Sequence, residues 1–282
     1  ANNYICHFSV FSRELLDGTE LFRTKFDGSQ DHDMILRLTD NAKHIVHVPK
    51  LLYYWRSHAG SVAGNIEAKP YVVEAARGAV ADHLRRHGFK NFTITSTRAF
   101  ETIFKISYEI IGEPKISIII PNKDHVDDLK KCIDAIEQRS TYRNYEIIIV
   151  ENNSVQQETF AYYESLVENP HIQVLYWQEE FNYSKINNFG VAHTKGKYIL
   201  LLNNDTELIS PDFITQMLGY CQRKDVGIVG ARLYFEDGTI QHAGVIVGIG
   251  GIAGHAFSAM DEQAGIYQLR TSVACDYSAV TA

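Results

Sequence analysis

The chain has 282 residues, 45% hydrophobic and 22% charged, with a net charge of -7. That much apolar material fills one large or two modest cores and excludes a disordered chain, while the acidic balance gives no electrostatic basis for a nucleic-acid partner. No apolar run reaches the about 18 residues of a membrane helix, and the opening ANNYICHFSV lacks a charged leader before an apolar core, so neither a span nor an export signal is expected. Cys6, Cys132, Cys221 and Cys275 form no paired spacing, which fits a reducing cytoplasm and not a cysteine zinc site. The first residue is not Met, so an excerpt or processed product of a longer protein is expected.

Taken in chain order, FDGSQDHDMILRL has a Gly-Ser turn, acids at Asp31 and Asp33, then Met34, Ile35 and Leu38 spaced as a helix face. Asp31 could simply cap that helix. HIVHVPKLLYYWRSH reads as an extended pair broken by Pro49, with Trp55, Arg56 and His58 at its end. EAKPYVVEAARGAVADHLRRHG reads as an amphipathic helix stopped by Gly88. Residues 89–114, ending in Gly112 and Pro114, read as a connection with one strand at FKISYEI, and the domain boundary is placed there.

From Lys115 the pattern becomes regular. KISIIIP (115–121), YEIIIVE (145–151), IQVLYW (172–177) and KYILLLNND (197–205) are near-continuous apolar runs, as suits strands covered on both faces of a mostly parallel sheet. Between them Val126, Leu129, Cys132, Ile133 and Ile136 fall three or four apart, and Phe160, Tyr163 and Val167 repeat the spacing, so these gaps are helices. A further helix is predicted to start with Ser210 as N-cap and Pro211 as its first residue, with Ile214, Met217, Leu218 and Cys221 on one stripe. Alternating strands and helices of this length make an α/β domain, a parallel sheet flanked by helices. In such sheets ligands sit beyond the carboxyl ends of the strands. Here Pro121 leads to Asn122, Lys123 and Asp124; Val150 to Glu151, Asn152, Asn153 and Ser154; Leu202 to Asn203, Asn204 and Asp205. Polar strand ends aimed at one edge point to a binding cleft.

The ordered runs ISIIIPNKDHVDDLKKCI, YEIIIVENNS and FNYSKINNFGVAHTKGKYILLLNNDTEL resemble the nucleotide-binding half of family 2 glycosyltransferases, whose fold is the GT-A type. The resemblance covers most of 115–282. The family's DxD element falls on Asn203-Asn204-Asp205, with Asn in place of the first acid. It implies that Asp205, with Asn203 in the same shell, holds a divalent metal (Mg²⁺ or Mn²⁺) on the donor diphosphate. Glu151 would face the nucleobase, although a carboxylate there could equally cap the next helix. Pro121, Asn152, Asn188 and Asn204 join the nucleotide-sugar site by the same resemblance. Lys185 stands nearest to the positive charge the family often carries where this chain has Asn187-Asn188. The chemistry is consistent: a hard cation held by one or two carboxylates stabilises the charge on a leaving diphosphate.

NYICHFSVFSRELL, FDGSQDHDMILRL and VPKLLYYWRSH resemble the acceptor-side half of the same family, with Gln30-Asp31 at its acidic base motif and His58 at a histidine that approaches the metal. That half normally follows the nucleotide-binding half; here it precedes it. Either the chain spans the end of one transferase domain (1–88), a linker (89–114) and the start of the next (115–282), or it folds as a permuted domain. Docking of complementary halves, within a chain or in a homodimer that exchanges them, is a further expectation. His242 lies between apolar runs and is read as structural, and the glycines of GVIVGIGGIAGH as a flexible loop over the cleft.

The function expected is an inverting, metal-assisted glycosyltransferase, with a nucleotide-sugar donor, Asp31 as base and a glycan or lipid-linked acceptor. The polysaccharide role, at the cell surface, and a peripheral position on the inner face of the plasma membrane come from the family alone. The alternatives are a non-catalytic nucleotide-binding or scaffold fragment of a larger synthase and, ranked lower, a sugar-1-phosphate nucleotidyltransferase, whose Gly-rich loop is missing from NKDHVDDL.

Overall fold

In the computed structural model, which describes residues 2–5, 9–54, 71–261 and 266–281, a turn at Gly28 and a stop at Gly88 frame two packed helices. A short helix α1 (Arg13–Asp17) precedes α2 (Gln30–Asn41) and α3 (Tyr71–Arg86). Gly28 has φ +87, and a Cβ there would meet Val72 Cγ2 at 2.8 Å, so this turn requires glycine. The two helices pack on each other, burying Ile35 and Leu38 of α2 and Val72, Ala76, Ala79, Val80 and Leu84 of α3. Asp33 is fully buried and paired with both Arg23 and Arg37. Arg23 also reaches Asp82 of α3 at 2.7 Å, so the buried charge ties the helices together. Gly88, at φ +83, donates to Arg85 O, and Phe89 donates to Leu84 O at 3.0 Å, ending α3 where the sequence places its stop.

Two stretches differ from expectation. Residues 89–114 contain an antiparallel hairpin, β1 (Phe92–Ser96) with β2 (Phe104–Tyr108), so the expected single strand has a local partner in FTITS. Both runs carry β-branched or aromatic residues with the alternation a strand pair needs, and Thr97 N–H closes onto Ile103 O at 2.8 Å. The extended pair expected at HIVHVPKLLYYWRSH does not form over 44–54, where Ile45, Val46, Leu51 and Leu52 are exposed. Among the described residues no strand pairs with this stretch, and a strand without a ladder has no stability of its own.

The second body of structure is the α/β sheet. Strands β3 (Ile116–Asn122), β4 (Tyr145–Glu151), β5 (Ile172–Tyr176) and β6 (Tyr198–Leu201) alternate with α4 (Val126–Arg139), α5 (Gln157–Ser165) and α6 (Tyr183–Ala192), and α7 (Phe213–Cys221) follows. All strand pairs are parallel, in the order β5-β4-β3-β6. This is the α/β fold the sequence predicts, a four-stranded parallel sheet flanked by helices. Alternate side chains go to opposite faces. Ile118, Ile120, Ile147 and Ile149 pack with Leu129, Cys132, Ile133 and Ile136 of α4, Tyr163 of α5 and Ile214 and Leu218 of α7. Ile119, Ile148 and Val150 pack with Ile186 of α6. Gly190 lets α6 seat closely, since a Cβ there would lie 2.7 Å from Ile119 Cγ2.

Two helices differ at their ends from the sequence pattern. α5 ends at Ser165, with Leu166 against the core and Val167 exposed, because the chain turns at 166–169. α7 starts at Phe213 and not at Pro211, because the Pro211 carbonyl accepts from Thr141 N–H at 2.8 Å and Thr141 Oγ1 at 3.1 Å instead of opening the helix.

Beyond α7, β7 (Leu233–Tyr234) and β8 (Ile240–His242) form an antiparallel pair around an Asp237-Gly238 turn. The glycine-rich stretch, expected as a flexible loop over the cleft, forms a hairpin, β9 (Val245–Val247) with β10 (Ala253–His255), and Gly248, Gly250 and Gly251 take positive φ at its turn. Contacts divide the chain into one unit of Ala1–Tyr108, Leu233–Ala243 and His255–Tyr277, and another of Glu109–Arg232, Gly244–Gly254 and Ser278–Ala282. Among the described residues no helix is long and apolar enough to cross a membrane.

Candidate functional site

The strand order fixes where a ligand crevice opens. From β3 the chain runs outward through β4 to β5, then returns to place β6 on the other side of β3. The carboxyl ends of β3 and β6 are therefore the topological switch point, the position at which open α/β sheets bind ligands. Asn122 ends β3, and the turn Asn203-Asn204-Asp205 follows β6. Asn204 Nδ2 donates to Asn122 Oδ1 at 2.7 Å, closing the two loops on each other. Cys132 Sγ and Thr206 Oγ1 donate to Asn203 O at 3.8 and 2.8 Å, so the turn is held from beneath. Burial raises the Cys132 thiol above its ordinary value and keeps it a neutral donor.

A buried polar chain continues from Asn122 into β4. Asn122 Nδ2 donates to Tyr163 Oη at 2.8 Å and to Asp124 O at 3.0 Å. Tyr163 Oη donates to Glu151 Oε2 at 2.7 Å. Glu151, 2% exposed, also accepts from Ser154 N–H at 2.5 Å and Ser154 Oγ at 2.6 Å. Burial, reinforced by the Glu151 carboxylate, pushes the Tyr163 phenol well above its usual range, so it stays a donor. Ser154 Oγ in turn accepts from Asp124 N–H at 2.7 Å, while Asp124 Oδ1 accepts from the N–H groups of Val155 and Gln156 at 2.8 and 2.9 Å. Asp124, His125 and Asn153 take positive φ, the bends that turn these loops back on themselves. Asn152 Nδ2 donates to Trp177 O and Glu179 O at 3.2 and 3.0 Å, joining the β4 and β5 loops.

Pro121 lies in β3 opposite Val150, and Asn122 opposite Glu151. Asp205 is exposed at the mouth of the β6 turn, and Asn203 and Asn204 are half-buried behind it. Lys185 and Asn188 are exposed on α6, whose N-cap Asn182 accepts from Lys185 N–H at 3.0 Å; Lys185 Nζ lies 3.8 Å from Glu179 Oε2. Asn187, buried on the same helix, donates through Nδ2 to Tyr183 O at 2.8 Å, and its Oδ1 has no partner. Asp31 belongs to the other unit: it sits in the first turn of α2 behind the N-cap Ser29 and accepts from Asn3 Nδ2 at 2.9 Å. His58 lies outside the described residues. His242 is buried, with Nδ1 2.7 Å from His255 Nδ1, and burial and then its neighbour lower its pKa, so one ring donates to the other.

Residues 117–250 match the family model described as Glycosyl transferase family 2. The chain carries a family 2 glycosyltransferase domain. Outside that domain the likeness to known proteins continues. The chain is 39% identical over 283 residues to the uncharacterized protein y4gI of Sinorhizobium fredii, spanning 99% of this chain and 31% of that protein. It is 37% identical over 260 residues to the O-antigen biosynthesis protein RfbC of Myxococcus xanthus, spanning 92% of this chain and 20% of the relative. The chain thus spans between a fifth and a third of the length of these curated relatives. Among solved structures, the mannosyltransferase PcManGT of Pyrobaculum calidifontis, in complex with GDP-Man and Mn²⁺, is 14% identical with a TM-score of 0.40 over 60% of this chain and 46% of that one.

The transferase domain also contains residues that the sequence reading did not assign to the site. Tyr163 was placed on an apolar helix face, and its hydroxyl is the link between Asn122 and Glu151. A tyrosine on a core face needs a partner for its hydroxyl, which is the signal that identifies it. Asp124 and Ser154, which the sequence places among the polar strand ends without an individual role, join the first two strand-end loops.

Proposed function

We propose that the transferase domain binds a nucleotide-sugar donor with a divalent cation, Mg²⁺ or Mn²⁺, at Asp205. The sugar passes with inversion to a glycan or lipid-linked acceptor in the assembly of a cell-surface polysaccharide. The observation that supports this most is the Asn204–Asn122 clamp at the switch point, continued through Tyr163 to Glu151. It ties the strand ends of β3, β4 and β6 to one another through direct hydrogen bonds, the pre-organisation a donor site needs.

In this reading Pro121, Asn152 and Asn204 line the nucleoside side. Glu151 shapes the nucleobase wall through Ser154 and Tyr163, and Lys185 and Asn188 serve the diphosphate. The donor set suits a hard cation: Asp205 offers an exposed carboxylate, Asn203 stands in the same turn, and Mg²⁺ takes one or two protein carboxylates together with substrate phosphates. When bound, such a cation offsets charge on the departing diphosphate. For the acceptor-side half, Asp31 is the base that takes the acceptor hydroxyl proton, its carboxylate oriented by the Asn3 amide. The polysaccharide assignment leans on the relative named for O-antigen biosynthesis.

Release of nucleoside diphosphate from a panel of nucleotide sugars, with and without Mn²⁺, tests this reading. Metal-dependent release that Asp205→Ala abolishes is expected. Nucleotide affinity without release favours the second reading, a non-catalytic binding module, which the short span of the relatives' length keeps open.

A further inference from the structure

HLRRHG, at the end of α3, places His83 and His87 four residues apart, one helical turn, so their rings lie on one face. The ring centroids are 4.5 Å apart. Asp40, one residue before the end of α2, faces them: Oδ1 lies 3.2 Å from His83 Nδ1 and 2.9 Å from His87 Nε2. Among the described residues these three offer ligand atoms that all lie within 4.8 Å of one another. Ligands about 2.0–2.1 Å from a tetrahedral zinc ion are separated by roughly 3.3 Å, so the two separations from Asp40 are near the spacing one ion needs, and the third is at most 4.8 Å.

Arg86 borders this set, and its Nη2 also lies 3.5 Å from His83 Nδ1, a contact that an incoming ion replaces. Arg86 Nη2 and Nε donate to the other Asp40 oxygen, Oδ2, at 3.0 and 3.3 Å, while its Nη1 bonds Asp82 at 2.6 Å. The carboxylate is thereby fixed with Oδ1 aimed at the rings, as outer partners fix metal-binding carboxylates. Two imidazoles and one carboxylate select a transition metal over Mg²⁺ or Ca²⁺, which prefer oxygen.

We propose that Asp40, His83 and His87 bind one zinc-class divalent ion, which pins the end of α2 to the end of α3 and leaves a coordination position to water. This site is separate in sequence and in ligand type from the cation proposed at Asp205. Nothing in the cysteine spacing points to it; the signal is the His-x3-His pair beside a helix-terminal acid.

The test is calorimetric titration of the tag-free chain with Zn²⁺ and with Mg²⁺, repeated on His87→Gln, Asp40→Asn and Asp205→Ala. Expected is one equivalent of Zn²⁺, no comparable Mg²⁺ binding, and affinity at least about a hundredfold weaker in His87→Gln and Asp40→Asn, beyond the about 10- to 100-fold that loss of an outer partner causes. Asp205→Ala should bind Zn²⁺ as the parent does. His87 is half-exposed, so its substitution leaves the helices folded, and circular dichroism checks that. With Co²⁺ in place of Zn²⁺, visible bands of a low-symmetry nitrogen and oxygen site should appear and vanish in His87→Gln. Absence of Zn²⁺ binding, binding undiminished in both ligand variants, or loss only in Asp205→Ala overturns the proposal.

Discussion

Removing one hydroxyl, by Tyr163→Phe, probes whether the buried chain between β3 and β4 holds the site loops. The ring is 3% exposed and keeps its packing in Phe, so the change isolates the oxygen. That oxygen donates to a buried carboxylate at 2.7 Å and accepts from Asn122 at 2.8 Å. A hydrogen bond to a charged group contributes about 1.5–3 kcal/mol, and Glu151 and Asn122 each retain other partners, so a net loss of about 2 kcal/mol is expected. Urea unfolding should show a lower midpoint with an unchanged slope, and melting should fall by roughly 4–8 °C. The folded phenol has a pKa above its unfolded value of about 10, so its contribution is fully present below that pH and is lost as pH rises through the folded value. The difference between parent and variant should therefore be constant from about pH 6 to 9. A stability change within about 0.5 kcal/mol, the range of ordinary surface substitutions, would refute the reasoning. So would additivity with Glu151→Gln, since residues sharing a bond must couple.

Two other perturbations follow from the same packing logic. His32 is 4% exposed, and burial lowers its pKa to about 4. The neutral form is therefore favoured on folding, and about 3 kcal/mol should be lost as pH falls from about 6.5 to 4. Acid titration of stability in His32→Gln should flatten that limb, and an unchanged limb rules the assignment out. Gly190→Ala would place a Cβ 2.7 Å from Ile119 Cγ2 and 3.1 Å from Val150 Cγ2 in a filled core. It should destabilise by about 1–3 kcal/mol, and urea denaturation that finds it neutral or stabilising contradicts the close seating of α6.

The sheet was legible because Ile118 to Ile120 and Ile147 to Val150 are buried on both faces, which leaves few readings for such runs. The strand-end residues were legible for the same reason, since polarity beginning abruptly after burial marks the edge. The hairpin of β1 and β2 was only half seen: FKISY reads as a strand, but FTITS carries little apolar weight and becomes one through its partner. HIVHVPKLL has strand-like composition yet forms no regular element, because composition does not supply a pairing partner. The roles of Tyr163, Asp124 and Ser154 depend on hydrogen bonds across 12 to 41 residues, which no local pattern encodes. The His83–His87 spacing was visible in the sequence, but its meaning required Asp40 from another helix.

The central claim, a nucleotide-sugar donor site at the β3–β6 switch point with a cation at Asp205, is tested most directly by thermal melting with UDP, GDP and dTDP, each with and without Mn²⁺. The parent chain and Asp205→Ala are compared side by side. The account predicts that one nucleotide raises the melting temperature only with metal, and that Asp205→Ala melts like the parent alone yet loses this response. Stabilisation independent of metal or retained in Asp205→Ala, or no response to any of the three nucleotides, would contradict it.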